Sequence, residues 1–131
     1  MEHTRAVEVT SRNGRSGSVE SADGTFSVRF GADSTGPSPE HLLAGAFAAA
    51  FHEALSGVVE HKRSEIPGMM VTVRCALHRT EHAVPLLDLE IRASMPGLSR
   101  TEARSLLHTA LECCPYARLV GERGRITSAL D

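Results

Sequence analysis

The sequence predicts an α+β fold in the order βββ-α-ββ-α-β, with helices packed on antiparallel sheets and one long helix buried at the centre. Three observations carry this. Short alternating segments joined by Asn-Gly and Asp-Gly fill the first thirty residues. A helical stretch from Pro39 to about His61 is apolar on nearly every side at its start. Two alternating segments then lead into a helix with a capping signal.

In the opening meander, Val7 and Val9 alternate with polar neighbours, Val19 sits in a second strand, and Phe26, Val28 and Phe30 share one face of a third. Asn13-Gly14 and Asp23-Gly24 supply the turns, because their central residues accept positive φ. Gly31 to Pro39 is a loop rich in Gly, Ser, Asp and Pro. Ser38 is the expected N-cap of the long helix, and Pro39 suits its first position, where a missing N–H costs nothing. Leu43, Ala44, Phe47, Ala50, Phe51, Ala54 and Val58 fall on one side of this helix. The other sides, up to Phe51, carry Leu42, Gly45, Ala46, Ala48 and Ala49. A helix apolar all round is enclosed by protein. At 1.5 Å per residue it is on the order of 33 Å long, more than one small domain wraps, which argues for a second subunit.

Val71, Val73, Cys75 and Leu77, and after a turn at Glu81 to Pro85 also Leu87, Leu89, Ile91 and Ala93, form the inward faces of two further strands. Ser99-Arg100-Thr101-Glu102 is a capping box, in which serine and glutamate satisfy each other's N–H groups. It opens a helix with the stripe Ala103, Leu106, Leu107, Ala110 and Leu111, continued by Cys114. Pro115 breaks that helix, and a short turn through Tyr116 to Val120 follows. Gly121 to Gly124 is a turn, and Arg125 to Leu130 a last strand.

Several function classes are excluded. A chain of 131 residues with net charge -2 and no run of Lys and Arg fits one domain without a nucleic-acid surface. The N-terminus has no signal-peptide layout, and the longest apolar run, Leu42 to Phe51, is half a bilayer span, so no membrane association is expected. An odd count of 3 cysteines points to a reducing compartment, the cytoplasm. The histidines of the long helix scatter around it and no Cys-x-x-Cys occurs, so neither a metal site nor a cofactor is expected. No nucleotide fingerprint and no Gly-x-Ser-x-Gly is present.

Two side chains remain. Glu40 points along the apolar face at the first turn of the long helix and needs a cation, for which Arg15, just after Asn13-Gly14, is a candidate in a buried pair. Cys114 reads equally as a small buried hydrophobe or as a thiol with a task.

Gly14-Arg15-Ser16-Gly17-Ser18-Val19, Pro39 to Phe51 (PEHLLAGAFAAAF) and Cys114-Pro115-Tyr116 together resemble the OsmC/Ohr family of organic hydroperoxide resistance and osmotically inducible proteins. The resemblance implies an intertwined homodimer with pockets at the subunit interface. There a thiolate on the central helix attacks the peroxide O–O bond and becomes a sulfenic acid. A second cysteine then condenses with it, and an external dithiol, such as a lipoylated partner, reduces the disulfide. Carried over, Arg15 activates the thiol, Glu40 orients Arg15, and Cys114 is the second cysteine; Phe47, Phe51 and Tyr116 are the candidate ligand contacts of the pocket. Ten residues after the glutamate, where the family has its attacking cysteine, stands Ala50. The two-cysteine cycle therefore cannot run as drawn.

Three readings follow. Cys114 could act as the single attacking thiol and recycle through an external thiol, although the helix C-terminal end disfavours thiolate. The pocket could instead bind a small apolar or anionic ligand, with Arg15 at its head group. Or it could host another reaction, with Glu40 or His52 as a base.

Overall fold

In the computed structural model, residues 3–31, 36–79, 81, 84–120 and 125–131 are described. The Gly121–Gly124 turn, His82 and parts of the 31–39 and 81–85 loops lie outside them. The chain forms two compact units, Met1–Leu42 and Leu43–Asp131.

The first unit is an antiparallel meander of β1 (Val9–Arg12), β2 (Ser18–Ser21) and β3 (Ser27–Arg29). Asn13 and Gly14 do take positive φ, 63° and 54°. The connection is longer than a two-residue turn, however: Arg12 pairs with Ser18, and Gly14–Ser16 wind into one 3₁₀ turn. Gly17 closes it, and any Cβ there would lie 1.7 Å from the Arg12 carbonyl oxygen. In the second hairpin Asp23 Oδ1 accepts from Ser21 Oγ (2.7 Å), the Thr25 N–H (3.0 Å) and Thr25 Oγ1 (2.8 Å), which holds its carboxyl at about 2.

The second unit contains most of α1 (Pro39–Lys62), then β4 (Met70–His78), β5 (Leu86–Ser94), α2 (Arg100–Cys113), α3 (Pro115–Val120) and β6 (Arg125–Leu130). β4 and β5 pair antiparallel over nine residues, from Met70↔Ser94 to His78↔Leu86. The expectation of purely antiparallel sheets is corrected here, because β6 lies parallel to β5 (Asp88↔Arg125 to Ala93↔Leu130). The α2–α3 connection is long enough to carry the chain back and let it run in the same direction.

The core of this unit joins Phe47, Phe51, Leu55 and Val59 of α1 to Leu89, Ile91 and Ala93 of β5 and to Ala103, Leu106, Leu107 and Ala110 of α2, with Cys114 just beyond. The buried α1 residues recur every four positions, one stripe of the helix. Gly45, Ala46 and Ala49 stay exposed, so the single chain does not enclose this helix on all sides, as the sequence led us to expect. By length and composition α1 is apolar enough to cross a membrane, but its large side chains are spent on the core.

At the start of α2, Ser99 Oγ accepts from the Glu102 N–H at 3.1 Å. The reciprocal half of the capping box is not made, since the Glu102 carboxylate takes a hydrogen bond from Arg63 Nη1 (3.1 Å) instead. Pro115 has no N–H to extend α2 and serves as the first residue of α3.

Replacing Phe51, which has no exposed surface, leaves a cavity. Phe51→Ala is expected to lower unfolding stability by about 3–5 kcal/mol, whereas Glu60→Gln, at an exposed position of the same helix, should stay within about 0.5 kcal/mol. Urea denaturation of both variants beside the parent checks this, and equal effects would contradict the assignment of the buried stripe.

Candidate functional site

Arg15 stands in the 3₁₀ turn after β1, and Glu40 in the first turn of α1, both in the first unit. Ser38 begins that helix: its carbonyl accepts from the His41 N–H at 3.0 Å, and its hydroxyl lies 2.8 Å from His41 Nδ1. The expected pair is formed. Arg15 Nη1 donates to Glu40 Oε2 at 3.2 Å, and Nη2 donates to Oε1, a two-pronged contact that fixes both planes. The expected burial is not found, because the Arg15 side chain is 53% exposed and that of Glu40 20%. The surface position follows from the 3₁₀ turn, whose residues 14–16 are all exposed. The Arg15 hydrogen bonds are the main cause that lowers the Glu40 carboxyl from 4.5 to about 2, and the same contact raises the Arg15 pKa.

Ala50 belongs to the second unit. With Phe47 and Phe51 turned into the core, Ala46, Ala49, Ala50, Glu53 and Ala54 line a concavity of about 580 Å³, whose other wall is Cys113, Pro115 and Tyr116. The methyl side chains make a shallow apolar floor. Tyr116 is 41% exposed and rests edge-on against Phe47, with ring centroids 5.8 Å apart at 87°.

The two adjacent cysteines part company. Cys114 continues the inward stripe of α2 and has no exposed surface, whereas Cys113 is exposed and lines the concavity. Sequence reasoning singled out Cys114 and passed over Cys113. The signal for Cys113 was its position off that stripe, which turns it outward. The concavity gives it a carboxylate, Glu53, and no Arg, Lys or His among the described lining residues. Of the residues expected to contact a ligand, Tyr116 lines this concavity, whereas Phe47 and Phe51 are corrected to core residues, 1% and 0% exposed, because the four-residue stripe turns both inward. His52 faces a different hollow, with Ser56, Glu60 and Glu65.

Residues 31–128 match the family of OsmC-like proteins. The chain is 26% identical to an organic hydroperoxide resistance protein of Xanthomonas axonopodis pv. citri, over 95% of this chain and 91% of the relative. It is also 27% identical to the organic hydroperoxide resistance protein OhrB of Bacillus subtilis, whose crystal structure superposes with a TM-score of 0.87 over 97% of this chain and 98% of that one. An organic hydroperoxide resistance protein from Legionella pneumophila has the same fold, with a TM-score of 0.90 at 24% identity over 99% of both chains.

The ion pair yields a pH prediction. The folded carboxyl of Glu40 titrates at about 2, below its ordinary 4.5, so its contribution to stability is fully present above 4.5 and is lost as pH falls towards 2. A carboxyl NMR titration should show this low midpoint, returning to the ordinary range in Arg15→Met. An ordinary midpoint in the parent protein would contradict the pairing.

Proposed function

The chain belongs to the OsmC-like family, and on that premise we propose that it is a homodimer that holds a small apolar organic molecule in the concavity around Ala50 and does not run two-cysteine hydroperoxide reduction. The relatives named above are organic hydroperoxide resistance proteins, which puts alkyl hydroperoxides and molecules of their shape first among candidate ligands. The observation that carries the reading is the pairing of Ala50 in an open apolar concavity with a Cys114 thiol that has no exposed surface. A methyl group cannot attack an O–O bond. The enclosed thiol meets no substrate without a change in the packing around it, and Cys113 shares the concavity with the Glu53 carboxylate.

The volume of about 580 Å³ falls in the range of small-molecule sites, and its walls are mostly apolar, as in such sites. The exposed small residues Gly45, Ala46 and Ala49 on an apolar helix support burial against a second subunit. An odd count of 3 cysteines accords with a cytoplasmic setting. An external dithiol has no disulfide to reduce in this reading.

Light scattering is expected to give a mass close to twice the 14.0 kDa of one chain, and a mass of one chain would contradict the dimer. An uncharged naphthylamine dye should bind saturably, at one site per chain. Ala50→Phe, which fills the concavity, should weaken that binding by about tenfold or more. Undiminished binding in this variant would place the ligand elsewhere and overturn the proposal.

A further inference from the structure

We infer that the start of α1 is held by a clasp that works only while His41 is uncharged, so that acidification below neutral loosens the segment carrying Glu40. The Ser38 backbone N–H donates to His41 Nδ1 at 3.0 Å, and the Ser38 hydroxyl lies 2.8 Å from the same nitrogen. A backbone N–H can only donate, so Nδ1 is the acceptor and the proton of the neutral ring sits on Nε2. The contact has the form of a capping box, in which the residue three places after the cap reaches back to the cap's own N–H. Glutamate or glutamine ordinarily fills that place. Here it is a histidine, the side chain whose ordinary charge change falls between about pH 5 and 8.

Protonation puts a hydrogen on Nδ1 and turns the acceptor into a donor. The Ser38 N–H and the new ring N–H then face each other across 3.0 Å, and the ring turns away. The added positive charge also sits in the first turn of a 24-residue helix, at the positive end of its dipole. Among the described residues, the charged groups that share a hollow with His41 are Glu40 and Arg15. Arg15 opposes a charge on the ring, and Glu40 offsets part of that. Neither changes its own charge near neutral pH. The Glu40 carboxyl is held at about 2, chiefly by Arg15 and in part by the Ser38 side chain, and a guanidinium stays charged. His41 is therefore the group that responds. The contact belongs to the neutral ring, so it is complete on the alkaline side and lost as pH falls. The segment it releases is the one on which the Arg15–Glu40 pair is mounted.

The test is NMR on the full-length protein at two acidities, about pH 7.5 and about pH 5.5, chosen within the range where imidazole ordinarily gains its charge. At the higher pH a long-range proton–nitrogen correlation should show the neutral His41 ring with its proton on Nε2. Amide exchange, corrected for its intrinsic dependence on pH, should show the protection of the Ser38 N–H falling about fivefold or more at the lower pH, the typical worth of a helix cap. His41→Gln keeps an acceptor in the same place and has no charge to gain, so its Ser38 protection should change by less than about twofold. A proton on Nδ1 of the neutral ring overturns the inference. So does Ser38 protection that holds in the parent at the lower pH, or that falls equally in His41→Gln.

Discussion

The rotational setting of α1 is the constraint from which the rest follows. Phe47, Phe51, Leu55 and Val59 recur at four-residue intervals and are all but fully buried against β5 and α2. Burying large side chains of this kind is worth about 1.5–3 kcal/mol each, so the helix has little freedom to turn. Once the stripe faces inward, Ala46, Ala49, Ala50 and Glu53 must face elsewhere, and they become the floor of a concavity. The same logic on α2 separates two neighbouring cysteines, with Cys114 enclosed by the stripe and Cys113 left outside it. The chemical character of the site is thus decided by packing before any polar group takes part.

The Arg15–Glu40 contact has a different basis. It is a two-pronged ion pair at the surface of the first unit, positioned by a 3₁₀ turn that needs positive φ at Asn13 and Gly14 and has no room for a Cβ at Gly17. Exposed pairs contribute little to stability, typically about 0–1 kcal/mol. The two-pronged contact holds the guanidinium flat against the carboxylate, and the remaining N–H groups then point in a fixed direction.

Much of this was legible in the sequence, because local signals and tertiary structure agree. The bounds of α1, the Ser99 cap, the break at Pro115 and the Asn13 and Asp23 turns all rest on interactions within a few residues. The meeting of Arg15 and Glu40 was anticipated from the need of a carboxylate for a cation, although its exposure was not. Three features escaped for physical reasons. The direction of β6 depends on where the α2–α3 connection delivers the chain, which no local pattern encodes. The roles of Phe47 and Phe51 were misjudged because a helix bearing Ala and Gly on several sides does not announce which stripe its own core claims. Cys113 was overlooked in favour of the Cys-Pro-Tyr motif, though the apolar periodicity of α2 already turned it outward.

The central claim is that this chain keeps the family's fold and a ligand-sized concavity without a working thiol in it. The most direct measurement is consumption of an organic hydroperoxide by the purified protein with a dithiol reductant, the parent run beside Cys113→Ser and Cys114→Ser. The account predicts that all three match the protein-free blank. Turnover in the parent that vanishes in Cys114→Ser would contradict it, and would mean that the enclosed thiol opens to substrate and acts alone.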